Sequence, residues 1–208
     1  VFFNELGFKT LISRVKFDEN IVTKIQTPKI ENNIELSKLE DWQQLESKIR
    51  KAGKVAILYA NEKPNFISFA VDNETSYNLS FENEPALFSQ NQQIGISDVQ
   101  AKLIAIMEDE SIVKIGHDIK LLCHFIYKQH LTDNEKIASY EDLMLMSYVL
   151  DNGRLSHDLV SLIKNHLYEE NVSYSASKLN HLYDILKPRL LSEQVLNLYK
   201  TIENPLSI

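Results

Sequence analysis

The chain has 208 residues, of which 44% are hydrophobic and 25% are charged, as expected for one substantial globular domain. Its 22 basic and 29 acidic residues give a net charge of −7, which argues against a domain whose main role is to bind the phosphate backbone of nucleic acid. No run of about 18 apolar residues occurs, so no membrane-spanning helix is predicted; the single Cys123 excludes a disulfide scaffold and favours a reducing cytoplasm.

The first quarter of the chain is predicted to hold two helices and a polar connector. Residues 1–16 place apolar side chains at helical spacing, whereas residues 17–37 are polar and indicate a connector or an edge strand. A second helix follows, and Gly53 after its basic last turn is typical of a helix end. The apolar face of this helix consists of Leu39, Trp42, Leu45 and Ile49.

Strand patterns come next, and the chain then becomes mostly helical. Strands are predicted at 55–59, 66–71, 76–81 and 112–116. Helices are predicted at 99–109, 120–128, 143–150, 157–168 and 176–199. This order of elements indicates an α/β domain, in which helices cover a mixed sheet.

The stretch F-A-V-D-N-E-T at 69–75 places two carboxylates, Asp72 and Glu74, between two predicted strands. Paired carboxylates at a strand end could bind a divalent cation, because hard cations prefer carboxylate oxygens. Small polar residues also suit the tight turn of a β-hairpin. The local sequence favours the turn, and the metal site is the alternative.

Three stretches in the latter half share their order with a known family. They read K-I-G-H-D-I-K-L-L at 114–122, D-L-M-L-M-S-Y-V-L at 142–150 and R-L-S-H-D-L-V-S-L at 154–162. Together they resemble the 3′–5′ exonuclease domain of bacterial DNA polymerase I, the proofreading domain of the Klenow-type, family A enzymes. The resemblance is loose residue by residue, but it keeps its order along nearly the whole chain.

The resemblance implies a ribonuclease-H-like fold, in which α-helices flank a mixed β-sheet. It also implies three parts: residues 1–16 as the tail of a 5′-nuclease domain, 17–198 as the exonuclease-like domain, and 199–208 as the start of a polymerase domain. The implied partners are the polymerase and 5′-nuclease domains of the same chain, and DNA through the parent enzyme. The parent would be a cytoplasmic, monomeric DNA-directed DNA polymerase of replication and repair, with no membrane partner.

Members of this family bind two divalent metals with about four carboxylates. The two metals stabilise the attacking water and the leaving oxygen. Matched position by position, this chain has other side chains there. Allowing about one residue of slip, Tyr59 and Asn61 replace the Asp and Glu of the first strand, and Glu62 is adjacent. Leu122 ends the second motif, and Lys178 ends Y-S-A-S-K at 174–178. A leucine offers no lone pair and a lysine repels a dication, so the resemblance implies a degenerate site. Mg²⁺ is then expected for the parent polymerase and not for this domain.

The leading hypothesis is therefore a catalytically inactive exonuclease-like domain that acts as a structural spacer. It predicts that Leu122 turns into the core and that Lys178 points to solvent or to a nearby acid. The same alignment places Asp72 and Glu74 one hairpin beyond the catalytic strand, as turn residues.

Two alternatives remain open at this point. One is a weak metal-dependent nuclease with a rearranged site built from Asp118, Asp142 and Glu62. The other is a docking module for single-stranded DNA around Lys120 and Lys178. Against the first, Asp118 and Asp142 are each better explained as residues that cap the start of a helix.

Overall fold

A computed structural model describes residues 31–60, 65–81, 96–127, 137–153 and 155–207. The chain divides into residues 1–30 and a unit from Glu31 to Ile208, and every described residue belongs to that second unit. The helix predicted at 1–16 lies outside the described residues, as do Asn61 and Glu62. In the described part of the chain, no helix is both long and apolar enough to cross a membrane.

Among the described residues, six strands form one mixed sheet in the order β1–β4–β3–β2–β5–β6. β2, β3 and β4 form an antiparallel meander, whereas β1 pairs parallel with β4, β5 with β2, and β6 with β5. The strands are β1 (Asn32–Glu35), β2 (Lys54–Ala60), β3 (Asn65–Ala70), β4 (Thr75–Phe81), β5 (Val113–Gly116) and β6 (Tyr140–Asp142). The four predicted strands are confirmed, and the polar region before residue 37 contributes an edge strand.

Helices cover both faces of the sheet. One face, called the α1 face below, is covered by α1 (Leu39–Ala52), α2 (Ile96–Glu108) and α3 (Ile119–Ile126). The other, called the α6 face, is covered by α4 (Leu143–Asp151), α5 (Leu159–Leu167) and α6 (Ala176–Ser192). The chain continues with α7 (Leu196–Leu198), a π-helix (Tyr199–Glu203) and a 3₁₀ turn (Pro205–Ser207).

Two details of the predicted helices are wrong. The last long helix does not run to residue 199, because Gln194 takes a left-handed conformation with φ of 61° and the helix ends at Ser192. Leu39 is 47% exposed, since it begins α1 and the first turn of that helix faces solvent. The predicted end of α1 is confirmed, because Gly53 closes it at φ of 63°, a conformation that favours glycine.

The α1 face holds an apolar core. Successive side chains of a strand point to opposite faces, so alternate residues of β2 and β3 reach this core. Trp42, Leu45 and Ile49 are fully buried here, and the ring of Trp42 meets that of Phe69 edge-on with centroids 5.3 Å apart. The α6 face has its own core, in which Ala56, Leu58, Ala70 and Ile115 pack under α4, α5 and α6.

Candidate functional site

Tyr59 lies near the end of β2, half-buried at the edge of the α1 face. Its ring stacks on Phe125 of α3, with the ring centroids 4.2 Å apart and the planes 23° from parallel. Burial raises the pKa of the Tyr59 phenol above its ordinary value, so this group stays neutral at physiological pH. The position therefore presents an aromatic contact and no anionic oxygen.

Leu122 lies in α3, one helical turn before Ile126, and is only 3% exposed. It packs in the apolar core of the α1 face together with Ile119 and Cys123. The prediction that Leu122 turns into the core is confirmed. Lys120, two residues earlier on the same helix, is exposed.

Asp118 precedes α3, and the prediction that its side chain caps this helix is wrong. The residue has φ of 51°, in the left-handed region that Asp tolerates, and its carboxylate makes no capping bond. The cap comes instead from Asp142, whose Oδ1 and Oδ2 accept hydrogen bonds from the backbone N–H groups of Asp118 (3.2 Å) and Ile119 (2.9 Å). A carboxylate from the neighbouring strand thus supplies what the adjacent residue does not.

Asp142 also caps its own helix, as predicted. Its Oδ1 accepts a hydrogen bond from the N–H of Met144 at 2.9 Å, at the start of α4. The residue is 1% exposed, and this burial raises the pKa of its carboxyl group. The backbone N–H donors and nearby His117 oppose that shift by favouring the carboxylate.

Lys178 lies in the first turn of α6 and is only 4% exposed. Its ammonium donates to Glu169 Oε2 at 2.5 Å and to Ser173 Oγ at 2.8 Å, and Glu31 Oε1 lies 3.9 Å away. Lys178 therefore points to nearby acids, which is one of the two predicted outcomes. Tyr174, which precedes it in the same motif, is 45% exposed.

The start of α6 is capped by serines from the sheet. The N–H of Ala176 donates to Ser68 Oγ at 3.2 Å, and the N–H of Ser177 donates to Ser76 Oγ at 3.0 Å. Both serines are fully buried. Because helix starts leave N–H groups without partners, these two contacts fix the first turn of α6, and hence Lys178, over β3 and β4.

Asp72 and Glu74 are exposed residues of the turn between β3 and β4. Asp72 Oδ1 accepts hydrogen bonds from the N–H groups of Glu74 (2.9 Å) and Thr75 (2.7 Å). This is the side-chain-to-backbone pattern of an Asp-stabilised turn. The prediction that these residues form a turn is confirmed.

Comparisons with known proteins agree with the architecture. No protein-family model matches the chain. DNA polymerase I of Rhizobium leguminosarum is 27% identical over 143 residues, which cover 56% of this chain and 14% of that protein. DNA polymerase I of Caldicellulosiruptor bescii is 24% identical over 210 residues, covering 97% of this chain and 22% of that protein. The chain thus spans less than a quarter of the length of either relative.

Several solved structures share the fold over most of the chain, although their sequences are only 12–14% identical to it. NrnC of Brucella melitensis with bound Mg²⁺ is 14% identical, with a TM-score of 0.52 over 86% of this chain and 90% of that one. The EXO domain of Nibbler from Aedes aegypti is 12% identical, with a TM-score of 0.54 over 81% and 95% of the two chains. The catalytic core of RRP6 from Trypanosoma brucei is 14% identical, with a TM-score of 0.54 over 93% and 58%.

The fold is that of a 3′–5′ exonuclease domain. The predicted ribonuclease-H-like architecture and the predicted resemblance to DNA polymerase I are therefore confirmed. The domain boundaries at residues 16 and 198, and the match of individual positions to metal ligands, stay predictions.

The described side chains at the positions predicted to match metal ligands do not fit a two-metal exonuclease site. Divalent metals of this class need carboxylate oxygens, whereas the structure shows a stacked phenol at Tyr59, an alkyl side chain at Leu122 and an ammonium at Lys178. Among the described residues, no group of three or more His, Cys, Asp or Glu side chains could hold a metal. At these three described positions the structure thus presents no carboxylate oxygen.

Sequence reasoning missed the partners that hold this region together. Glu169 and Glu31 pair with Lys178, while Ser68 and Ser76 cap α6 from strands about 100 residues earlier, at separations of 108 and 101. A further, partly buried ion pair joins Lys187 of α6 to Glu141 of β6. The only sequence signal for these contacts is the presence of polar residues at inward positions of predicted strands and helices.

Proposed function

We propose that this chain is an exonuclease-fold domain without nuclease activity, which serves as a structural spacer within a DNA polymerase I. The observation that carries the proposal is the burial of two matched ligand positions in stable contacts. Leu122 is 3% exposed in an apolar core, and Lys178 is 4% exposed in an ion pair with Glu169. Neither side chain can coordinate a metal, and neither is free to move aside without loss of packing.

A structural spacer must be rigid to hold neighbouring domains in place, and contacts within the described fold support that role. Helix α6 contacts four of the six described strands, β2, β3, β4 and β5. Asn180 of this helix is fully buried and donates to the carbonyl oxygens of Ala70 (3.1 Å) and Asp72 (3.2 Å). The helix is thereby bonded to the hairpin between β3 and β4 as well as packed on the sheet.

The proposal includes the surroundings of the domain. Its partners would be the polymerase and 5′-nuclease domains of the same chain, and it would meet DNA through the parent polymerase. That parent would be a cytoplasmic monomer, with Mg²⁺ bound by the polymerase domain. The similarity to two DNA polymerase I sequences supports this proposal.

The rearranged nuclease is a weaker candidate. Both carboxylate oxygens of Asp142 already accept backbone hydrogen bonds from the starts of α3 and α4. These three hydrogen bonds occupy most of the roughly four lone-pair sites of the carboxylate, so a metal bound there would compete with caps that each contribute on the order of 1 kcal/mol. Glu62, the third member of the rearranged site, lies outside the described residues.

The single-strand docking module is also weaker. Lys120 is exposed, but the ammonium of Lys178 is bonded to Glu169 and nearly inaccessible. The two lysines therefore do not form one exposed basic surface. With a net charge of −7, the chain offers little general attraction for a phosphate backbone.

The test is a nuclease assay on the purified chain with 5′-end-labelled single-stranded DNA and Mg²⁺ or Mn²⁺. No metal-dependent shortening of the DNA is expected, and titration with Mn²⁺ should show no tight site. The matched control is Asp118→Ala, which removes a carboxylate of the alternative site. DNA degradation by the unsubstituted chain that disappears in Asp118→Ala would establish the rearranged nuclease and refute the proposal.

A further inference from the structure

The segment after α7, defined here as the anchor segment (Tyr199–Glu203 and Asn204), is fixed to the edge strand β6. Tyr199 is fully buried, and its hydroxyl accepts a hydrogen bond from the N–H of Asp142 at 2.9 Å and donates to Asn204 Oδ1 at 3.0 Å. Burial raises the pKa of the Tyr199 phenol, so the hydroxyl keeps the proton that it donates.

Asn204 closes a second connection to the same strand. Its Nδ2 donates to the carbonyl oxygen of Tyr140 at 3.2 Å, and Tyr140 Oη donates to the carbonyl oxygen of Asn204 at 2.6 Å. Two residues of the anchor segment thus hold both ends of the three-residue strand β6. Among the described strands it is at the sheet edge and pairs only with β5, so the anchor segment adds to its fixation.

Asp142 joins this network to the opposite side of β6. Its backbone N–H is bonded to Tyr199, while its carboxylate holds the N–H groups of Asp118 and Ile119 at the start of α3. A displacement of β6 changes both sets of bonds, because they originate from one residue. In a buried setting each lost bond leaves a polar group without a partner, which makes partial states costly.

We infer that Asp142 is a positioning residue that couples the order of the anchor segment to the order of the start of α3. When the anchor segment is docked, the Asp142 carboxylate is held where it caps α3; when the segment is released, that cap loosens. The coupling is reciprocal, since any free energy that links two sites acts in both directions. It concerns the fold itself and holds whether or not the chain cleaves DNA.

Hydrogen exchange of individual backbone amides, followed by NMR on the whole chain, tests the coupling. Tyr199→Phe removes one hydroxyl from the anchor segment and keeps the buried ring. It is expected to raise exchange at the Ile119 amide by roughly 10-fold relative to amides of the β2–β3 ladder, within the usual range of coupling between sites. In return, Asp142→Asn is expected to raise exchange at the Asn204 amide, which donates to the carbonyl oxygen of Tyr199.

The control is Tyr174→Phe, which removes the hydroxyl of a tyrosine that is 45% exposed and should leave both amides unchanged. The inference would be overturned if Tyr199→Phe left exchange at the Ile119 amide unchanged, or if Asp142→Asn left exchange at the Asn204 amide unchanged. If Asp142→Asn does not fold, Asn204→Ala gives a second test from the anchor segment, because it removes the oxygen that accepts the hydrogen bond of the Tyr199 hydroxyl. An unchanged Ile119 amide in Asn204→Ala would overturn the inference equally.

Discussion

The two faces of the sheet solve the same packing problem with different chemistry. The α1 face buries apolar side chains such as Trp42, Ile49 and Leu122, which contribute by leaving water and need no specific partner. The α6 face buries Lys178 and Asn180 among its apolar residues. Lys178 donates a hydrogen bond to an acidic side chain, and Asn180 donates to backbone carbonyls. Removing a partner should therefore cost more on the α6 face than changing the shape of a side chain costs on the α1 face.

The largest expected effect comes from putting a charge into the α1 face. Leu122→Asp would bury a carboxylate in an apolar core without a partner, at a cost of about 3 kcal/mol or more in the free energy of unfolding. Urea unfolding with and without excess Mg²⁺ is the measurement, and no recovery with the metal is expected. Leu122→Met is the control, because a swap of similar volume should cost less than about 1.5 kcal/mol. Rescue of the Asp variant by Mg²⁺ would mean that enough metal ligands persist nearby.

On the α6 face, breaking the Lys178–Glu169 pair should give the next largest effect, and the two single variants should differ. Glu169→Gln leaves an ammonium that is 4% exposed, whereas Lys178→Met leaves a carboxylate whose side chain is 32% exposed and can be hydrated. We expect a loss of about 2 kcal/mol for the former and about 1 kcal/mol for the latter.

The double variant Lys178→Met with Glu169→Gln should be more stable than Glu169→Gln alone, as chemical denaturation would show. The control is Glu193→Gln, which breaks an exposed pair with Arg189 and should cost no more than about 0.5 kcal/mol. Equal losses for the two single variants would contradict the asymmetry in burial.

Lys114 of β5 is a fully buried charge and gives a smaller, pH-dependent effect. Burial lowers its pKa from 10.5 to about 8, although Asp109 and Glu110 nearby favour the charged form. Between pH 8 and 10.5 the unfolded chain holds a proton that the folded chain has lost, so this group makes stability rise with pH in that window.

Lys114→Met should remove that rise. The free energy of unfolding, measured at pH 7, 8.5 and 10, should increase less with pH in the variant than in the parent. Lys120→Met alters an exposed lysine and is the matched control. Parallel pH curves for Lys114→Met and the parent would show that the ammonium is hydrated in the folded protein.

The smallest expected effect lies outside both faces, in the turn between β3 and β4. Asp72→Asn keeps an oxygen that can accept the two backbone hydrogen bonds, so stability should change by no more than about 0.5 kcal/mol. Asp72→Ala removes that acceptor and should cost about 1 kcal/mol. Thermal unfolding of both variants with and without Mg²⁺ is the measurement, and metal-dependent stabilisation lost in Asp72→Asn would contradict the assignment as a turn.

The contrast between the faces also explains what sequence could predict. Helix α1 and strands β2 to β4 follow from short-range periodicity, and the burial of Leu122 follows from its place in an apolar helix. The cap of α3 could not be predicted, because Asp142 supplies it from 24 residues beyond Asp118. The partners of Lys178 depend on the folded path of the chain, and periodicity carries no information about them.

The pairing of Lys178 with Glu169 has a consequence for how this chain can change over evolutionary time. A change of Lys178 to Asp would set a new carboxylate among Glu169 and Glu31, so three acidic side chains would lie together before any compensating change arose. Such a sequence would be less stable because of this repulsion, and selection removes sequences whose stability falls below the threshold needed for function. The ion pair thus disfavours the gain of a carboxylate at position 178 unless Glu169 and Glu31 change as well.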